Sequence, residues 1–586
     1  MAAVETLITD HLDLWTAALK RKSTAGRGSS SKVELYGIKK LRELILELAV
    51  RGLLVPQDPN DEPASELLKR IAAEKAKLVK EGAIKKEKPL PAISDEAVPF
   101  VVPHGWKWAR IADIGHDFGQ KTPDANFTYI DVGAIDNRLG LIDCPATLMA
   151  EDAPSRARKL VSRGTVIYST VRPYLLNVAI VQKDFDPEPI ASTAFAVVHP
   201  FEGIVSGYVY RYLRSPSFVA YVESVQTGIA YPAINDRQFF SGLIPLPPTA
   251  EQHRIVAKVD ELMALCDQLE QQTDASLGAH QTLVKTLLSA LTSAADLTQF
   301  VSAWQRIAGH FNTLFTTEES IEQLKQTILQ LAVMGKLVPQ HPYDEAASVL
   351  FEKILREKKR LIDQGELRKL EPLPEVRDEE TPFSLASGWA YVRLGDISKL
   401  ITKGSSPEWQ GVSYTEDPSD VLFVTSENVG SFALLLDNKK YVEKKFNEVE
   451  PRSILNSGDF LMNIVGASIG RTAIFDIDSV ANINQAVCLI RVFAEMLDSK
   501  FLLLFFNSAT CVSYMFDKQV ENARANLSMG NIAKFLVPLP PLEEQHRIVA
   551  KVDELMALCD QLKSRLSDAQ TTQLHLADAL VEQAIG

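Results

Sequence analysis

Residues 251–269 read EQHRIVAKVDELMALCDQL, and residues 544–562 read the same nineteen letters. The offset is 293, half of the 586-residue chain. Each copy follows a similar lead-in, IPLPPTA at 244–250 and VPLPPLE at 537–543. Ile255, Val259, Leu262, Cys266, Leu269, Thr273, Ser276, His280, Leu283 and Leu287 step by four and three, as do Ile548, Val552, Leu555, Cys559, Leu562, Leu566, Ala569, Gln573, Leu576 and Leu580. That period is the seam of a helix that pairs with another. Prolines 247–248 and 540–541 suit a helix start, where a missing N–H costs nothing. A helix from Pro248 to about Ala290 is about 60 Å long. Two like seams predict an antiparallel coiled-coil pair; a plain amphipathic helix in a core is the alternative.

A second, more diverged repeat lies upstream. Residues 45–62 read ILELAVRGLLVPQDPNDE and residues 328–345 read ILQLAVMGKLVPQHPYDE. Gly105-Trp106 then matches Gly388-Trp389, at the same offset of 283. The second copy has therefore gained a net ten residues between Trp389 and Val537. Frame segments repeat while the stretches between them do not, which is the pattern of two different readers mounted on one duplicated frame.

The predicted organisation follows: an N-terminal helical region 1–99, an insert 100–245, a central region 246–382 with a long helix and a second helical block, an insert 383–537, and a C-terminal helix 538–586. Blocks 36–90 and 318–370 read as helices with charged, solvated faces. Residues 20–34 read as a Gly/Ser-rich basic linker. The inserts carry short β-prone runs such as 165–171, 178–181, 194–198, 422–425, 460–465 and 486–492, and within each insert a helix follows them, near 207–215 or 499–507. The fold class is α+β: two domains of curved mixed sheet plus helices, joined by long antiparallel coiled-coil helices in a pseudo-two-fold repeat.

The net charge of −13 argues against a self-sufficient nucleic-acid binder and for a DNA grip shared with a partner. Neither insert is basic: 101–245 holds 13 Lys/Arg against 14 Asp/Glu, and 383–537 holds 14 against 17. Their loops nevertheless carry side chains suited to base edges and phosphates. In the first these are Lys121, Thr122, Arg172, Tyr174, Asn177, Tyr231, Asn235 and Arg237. In the second they are Lys403, Ser405, Asn428, Ser468, Arg471, Asn484, Arg524 and Asn526. Each is equally readable as a loop residue that caps its own turn. Glu251, Gln252, His253 and Arg254 recur as Glu544, Gln545, His546 and Arg547, although a core needs only the apolar letters, so they are candidates for docking a partner twice.

Catalytic machinery is not apparent. There is no GxxxxGK[ST] phosphate loop, no HExxH, no Cys/His cluster and no Asp/Asn-Pro-Pro-aromatic motif. The five cysteines form no CxxC pair, so free thiols and no metal are expected. No apolar run is long enough to span a membrane, and the N-terminus lacks a secretory signal's basic head and apolar body.

PLPP-x-x-EQ-x-RIV before a long helix, at 245–256 and 538–549, resembles the specificity subunits of Type I restriction-modification systems. So do MNIVGASIG at 462–470 with NINQ at 482–485, and YSTVRPY at 168–174 with STAF at 192–195. The N-terminal ELAVRGLLVPQDPNDEPASELL resembles the Type IB subclass. The resemblance spans nearly the whole chain. It implies a non-catalytic, cytoplasmic bacterial subunit that reads a bipartite double-stranded DNA site, one half per recognition domain, with the helices setting the separation. It implies two methyltransferase subunits and restriction subunits as partners, with S-adenosylmethionine, ATP and magnesium bound by them and none by this chain. The rival reading is a DNA-binding scaffold outside restriction-modification.

Overall fold

The computed structural model describes residues 2–21, 33–85, 90–228, 230–517 and 527–585. Most of the basic Gly/Ser-rich stretch, Arg524 and Asn526 lie outside them. The chain divides into two bodies, Met1–Leu277 with Asp568–Gly586, and Gly278–Ser567.

In the first body, helices α1 (Tyr36–Val50) and α2 (Ala64–Lys80) precede the insert, and α3 (Ser206–Tyr212) and α4 (Asp236–Ser241) close it. Helix α5 (Thr249–Ser293) begins in this body and ends in the other. The second body repeats the plan with α6 (Glu318–Val333), α7 (Ala347–Asp363), α8 (Ser499–Phe506) and the start of α9 (Leu542–Ile585), whose last turns belong to the first body. Helices α1, α2, α6 and α7 have one apolar face each, which is why they pack against something.

The expected β runs form as strands. Each insert holds two four-stranded sheets, where a single curved one was expected. In the first, an antiparallel sheet runs 178–180, 166–169, 195–200, 115–116. A mixed sheet runs 146–148, 127–130, 189–192, 157–160, with 127–130 and 189–192 parallel. The second insert has an antiparallel sheet in the order 472–474, 460–463, 487–492, 398–403. Its mixed sheet again contains one parallel pair, 421–424 with 481–483. Two sequences without evident similarity therefore share one topology. They part at the edge: 157–160 closes the mixed sheet of the first insert, whereas 414–415 extends that of the second beyond 441–442. A two-stranded ribbon ties each insert to its frame, 107–110 with 243–246 and 390–393 with 536–539.

The helical seams are wider and less regular than expected. In the first body Ile255, Val259, Leu262 and Cys266 of α5 share a core with Leu41, Ile45 and Leu48 of α1 and Ala577 of α9. Arg42 of α1 meets Asp267 and Glu270 of α5, and Tyr36 donates to Asp578 of α9 at 2.7 Å. In the second body α6 has the same place: Lys325 pairs with Asp560 of α9, and Gln281 of α5 donates to Glu319 at 2.8 Å. Each body is thus completed by three frame helices, not two.

Both seams slip by one residue. Leu283 is 51% and Leu576 52% exposed, while Val284 and Ala577 are buried. These positions are related by the 293-residue offset. A straight helix drifts about 20° per heptad against a 3.5-residue repeat, so a seam followed across four heptads leaves the packed face.

Candidate nucleic-acid interface and the repeated corner

The first insert presents a rim where two loops are zipped together. Arg172 N–H donates to the Pro232 carbonyl at 2.9 Å, Ile234 N–H to the Thr170 carbonyl at 2.9 Å, and Val171 bridges Ala233. This holds the Arg172 guanidinium over the Tyr231 ring, 5.2 Å from its centroid. Tyr174 and Tyr231 are 53% and 69% exposed. Arg172 and Leu176 adopt left-handed φ values of 48° and 52°. Such conformations cost on the order of 1 kcal/mol or more each for non-glycine residues and persist only where surroundings impose them. The rim is therefore a preformed, exposed arginine–aromatic surface.

The remaining first-insert candidates fare differently. Thr122 and Arg237 are exposed. Lys121 is already engaged, 2.8 Å from Glu188 and 2.9 Å from Asp124, and those contacts raise its pKa. Asn235 caps its own helix: its side chain accepts from Gln238 N–H at 2.9 Å, and Gln238 returns the bond. Asn177 is only 8% exposed and so is poorly placed to reach a base. For these three, local structure accounts for the residue.

In the second insert Lys403 and Arg471 are exposed. Gly404 lets their neighbourhood form, since a Cβ there would lie 1.8 Å from the Ile483 carbonyl oxygen, beside Asn484. Asn484 accepts from Ala486 N–H at 3.0 Å, and Ser405 accepts from Gln410 Nε2 at 2.9 Å. Ser468 is half-buried, and its carbonyl accepts from Arg471 N–H. Asn428 is a correction. It is 3% exposed, its Oδ1 accepts from Thr425 N–H at 3.0 Å, and its Nδ2 donates to the Leu435 and Asn438 carbonyls, so it pins the loop from inside. Asn463 and Asn482, in the motifs that resemble the family, are fully buried and do the same.

Lys159 escaped the sequence reading. Its side chain is buried, yet Nζ reaches Asp236 at 2.6 Å and so holds the helix that carries Arg237. The alternation of Ala157 and Lys159 toward the covered face of one strand was the available signal.

The repeated EQHR letters also need correction. Glu251, Gln252, Glu544 and Gln545 are at most 1% exposed. Glu251 accepts from Trp106 Nε1 at 2.9 Å and from Gln57 Nε2 at 3.1 Å. Gln57 also donates to the Gly52 carbonyl at 2.6 Å, closing the VPQ turn on itself. Glu544 accepts from Gln340 Nε2 at 3.1 Å, and Gln340 donates to the Gly335 carbonyl at 2.8 Å. Gln252 accepts from Val205 N–H at 2.8 Å and Gln545 from Asp498 N–H at 2.9 Å. Arg254 pairs with Asp61 at 2.6 Å and Arg547 with Asp344 at 2.5 Å. Burial raises the carboxyl pKa of both glutamates. These residues lock separate chain segments of each body together, and the four buried ones have no surface to offer a partner; His253 and His546 are exposed, with His546 3.8 Å from Asp498 and 3.9 Å from Glu543.

The chain matches a family model described as the Type I restriction modification DNA specificity domain over residues 386–569. It is 41% identical over its full length, and over the full length of the relative, to the Type I restriction enzyme EcoAI specificity subunit of Escherichia coli. The chain belongs to the Type I restriction enzyme specificity subunits. The EcoEI specificity subunit of Escherichia coli is 40% identical, again over the whole of both chains. The crystallised HsdS subunit from Thermoanaerobacter tengcongensis is 24% identical with a TM-score of 0.43, covering 83% of this chain and 98% of that one. A specificity subunit is the DNA-recognising, non-catalytic part of its enzyme, and the rival scaffold reading is not favoured. Among the described residues no helix is long and apolar enough to cross a membrane.

Proposed function

We propose that this specificity subunit reads a split double-stranded DNA site, one half per insert, on behalf of two methyltransferase subunits and restriction subunits in the bacterial cytoplasm. The observation that carries the reading is the pairing of a residue-for-residue repeated corner with two unlike loop rims on one shared topology. A frame that locks itself through the same glutamate, glutamine and arginine bonds twice offers equivalent mounts, and the rims supply the difference between half-sites. The Arg172–Tyr231 rim suits the first half, since a preformed arginine can pair bidentately with guanine. Lys403 and Arg471 suit the second.

S-adenosylmethionine, ATP and magnesium belong, in this reading, to the partner subunits. Methyl transfer to adenine N6 requires flipping the base from the stack, which the methyltransferase subunits perform. Partners also supply much of the positive charge that this acidic chain lacks.

The test is to map methylated adenines in DNA from cells expressing this chain with its cognate methyltransferase. A split motif is expected. Exchanging residues 101–245 for the first insert of another specificity subunit should then alter one half of that motif only; alteration of both halves, or a continuous motif, overturns the reading.

A further inference from the structure

The first body contains a cleft of about 540 Å³ whose walls are rich in arginine. Arg138 stands at the tip of the hairpin formed by 135–136 and 141–142, Arg211 and Arg214 follow from α3, and Arg42 comes from α1. Asp260 and Asp267 line the cleft, paired with Arg211 and Arg42, and Glu270 also reaches Arg42 at 2.7 Å. Four guanidinium groups against three carboxylates leave a positive excess in a chain whose net charge is −13.

The excess is concentrated on two side chains. Arg214 donates to the Asn137 carbonyl at 2.8 Å and lies over the Tyr210 ring, and neither it nor Arg138 pairs with a carboxylate among the described residues. Arg211, 12% exposed at the side chain, also keeps its Nε buried without an acceptor. The cleft also joins the rim directly: Asn137, one residue before Arg138, donates to the Leu175 carbonyl at 2.9 Å, next to Tyr174. The wall is tight, because a Cβ on Gly140 would lie 1.8 Å from the Tyr210 hydroxyl.

We infer that this cleft seats backbone phosphates of the DNA flanking the first half-site, with Arg138 and Arg214 as the contacting residues. The inference rests on the reading of the first insert as a DNA reader. Arginine forks match phosphate oxygens bidentately, and Arg138 and Arg214 are the two guanidinium groups of the cleft that no carboxylate engages among the described residues. Such contacts fix register and carry no sequence information.

The experiment uses the complex of this chain with its methyltransferase subunits and duplexes bearing or lacking the mapped site, with Kd followed against salt. Arg138→Ala/Arg214→Ala should weaken binding to all duplexes alike, at least about tenfold at moderate salt, and reduce the log–log salt slope by roughly 2, about one for each phosphate that is no longer neutralised. The methylated sequence should not change. Arg138→Lys/Arg214→Lys, which keeps the charge, should retain most of the slope. An unchanged slope and affinity in the alanine variant overturns the inference, and so does loss of a methyltransferase subunit from the purified complex without a slope change, which would mark the cleft as a seat for an acidic protein segment. A wild-type complex without preference for any duplex overturns the DNA reading of the insert itself, which the variant results alone do not.

Discussion

The corner around Glu251 and the corner around Glu544 are the same object built twice, while the two insert rims are different objects built on the same sheets. At each corner a buried glutamate accepts from a VPQ glutamine, a glutamine accepts from a backbone N–H of the neighbouring segment, and an arginine closes on an aspartate, while the tryptophan bond is made at the first corner, from Trp106, and Trp389 Nε1 is left buried without an acceptor at the second. At the rims the agreement ends. The first projects Arg172 over Tyr231 from a left-handed backbone, whereas the second exposes Lys403 and Arg471 and pins its loops from beneath with the buried Asn428, Asn463 and Asn482. Identity between repeats therefore marks what the chain does to itself, and divergence marks what it does to others.

The comparison can be broken at its corners first. Glu251→Ala strands the buried Trp106 N–H and removes one bond of the Gln57 amide, which still donates to the Gly52 carbonyl, and should destabilise by about 1–3 kcal/mol. Glu544→Ala should cost a similar amount, and thermal unfolding of the two variants checks both; a strong effect at one corner with none at the other would end the equivalence. At the rim, Arg172→Ala should leave stability nearly intact and relax discrimination at one base position by about 1–3 kcal/mol, read as methylation of near-cognate sites. Loss of binding to every sequence alike would assign Arg172 to the backbone instead.

A smaller contrast is pH-dependent. His199 is pushed down to about 4 from 6.5 by burial and by the neighbouring His116. The folded chain thus keeps this ring neutral while the unfolded chain takes up a proton near 6.5, so stability is whole above that pH and declines as pH falls toward 4. His199→Phe should flatten that decline in a melting-temperature series. The aligned strand position in the second body is Arg491, bound to Asp459 at 2.6 Å. Smallest of all, Arg254→Ala and Arg547→Ala should each cost about 0.5–1 kcal/mol, because both side chains are about one-third exposed and screened.

Much of the frame was legible because repeats and periodicity report packing. The helix bounds, the strands and the duplicated plan all follow from spacing. The failures have physical causes. Leu283 and Leu576 looked like seam residues because a heptad continued on paper does not drift, whereas a helix does. Glu251 and Gln252 looked exposed because charged and amide letters usually are; the burial of Glu251 depends on Trp106 and Gln57, 145 and 194 residues away from it. The rim showed only as candidate letters. Nothing in the spacing of Arg172 and Tyr231 brings them together, because the bonds that do so join one loop's backbone to another's. Arg138 and Arg214 went unread for the same reason.

The last turns of α9 sit in the first body, with Ala577 fully buried there and Asp578 accepting from Tyr36. During synthesis the ribosome must therefore deliver α9 before the first body can close. A message cut short ahead of the codons for Ala577 and Asp578 would release a product whose first body stays open, so the folding of residues 1–277 depends on a helix made some 300 residues later.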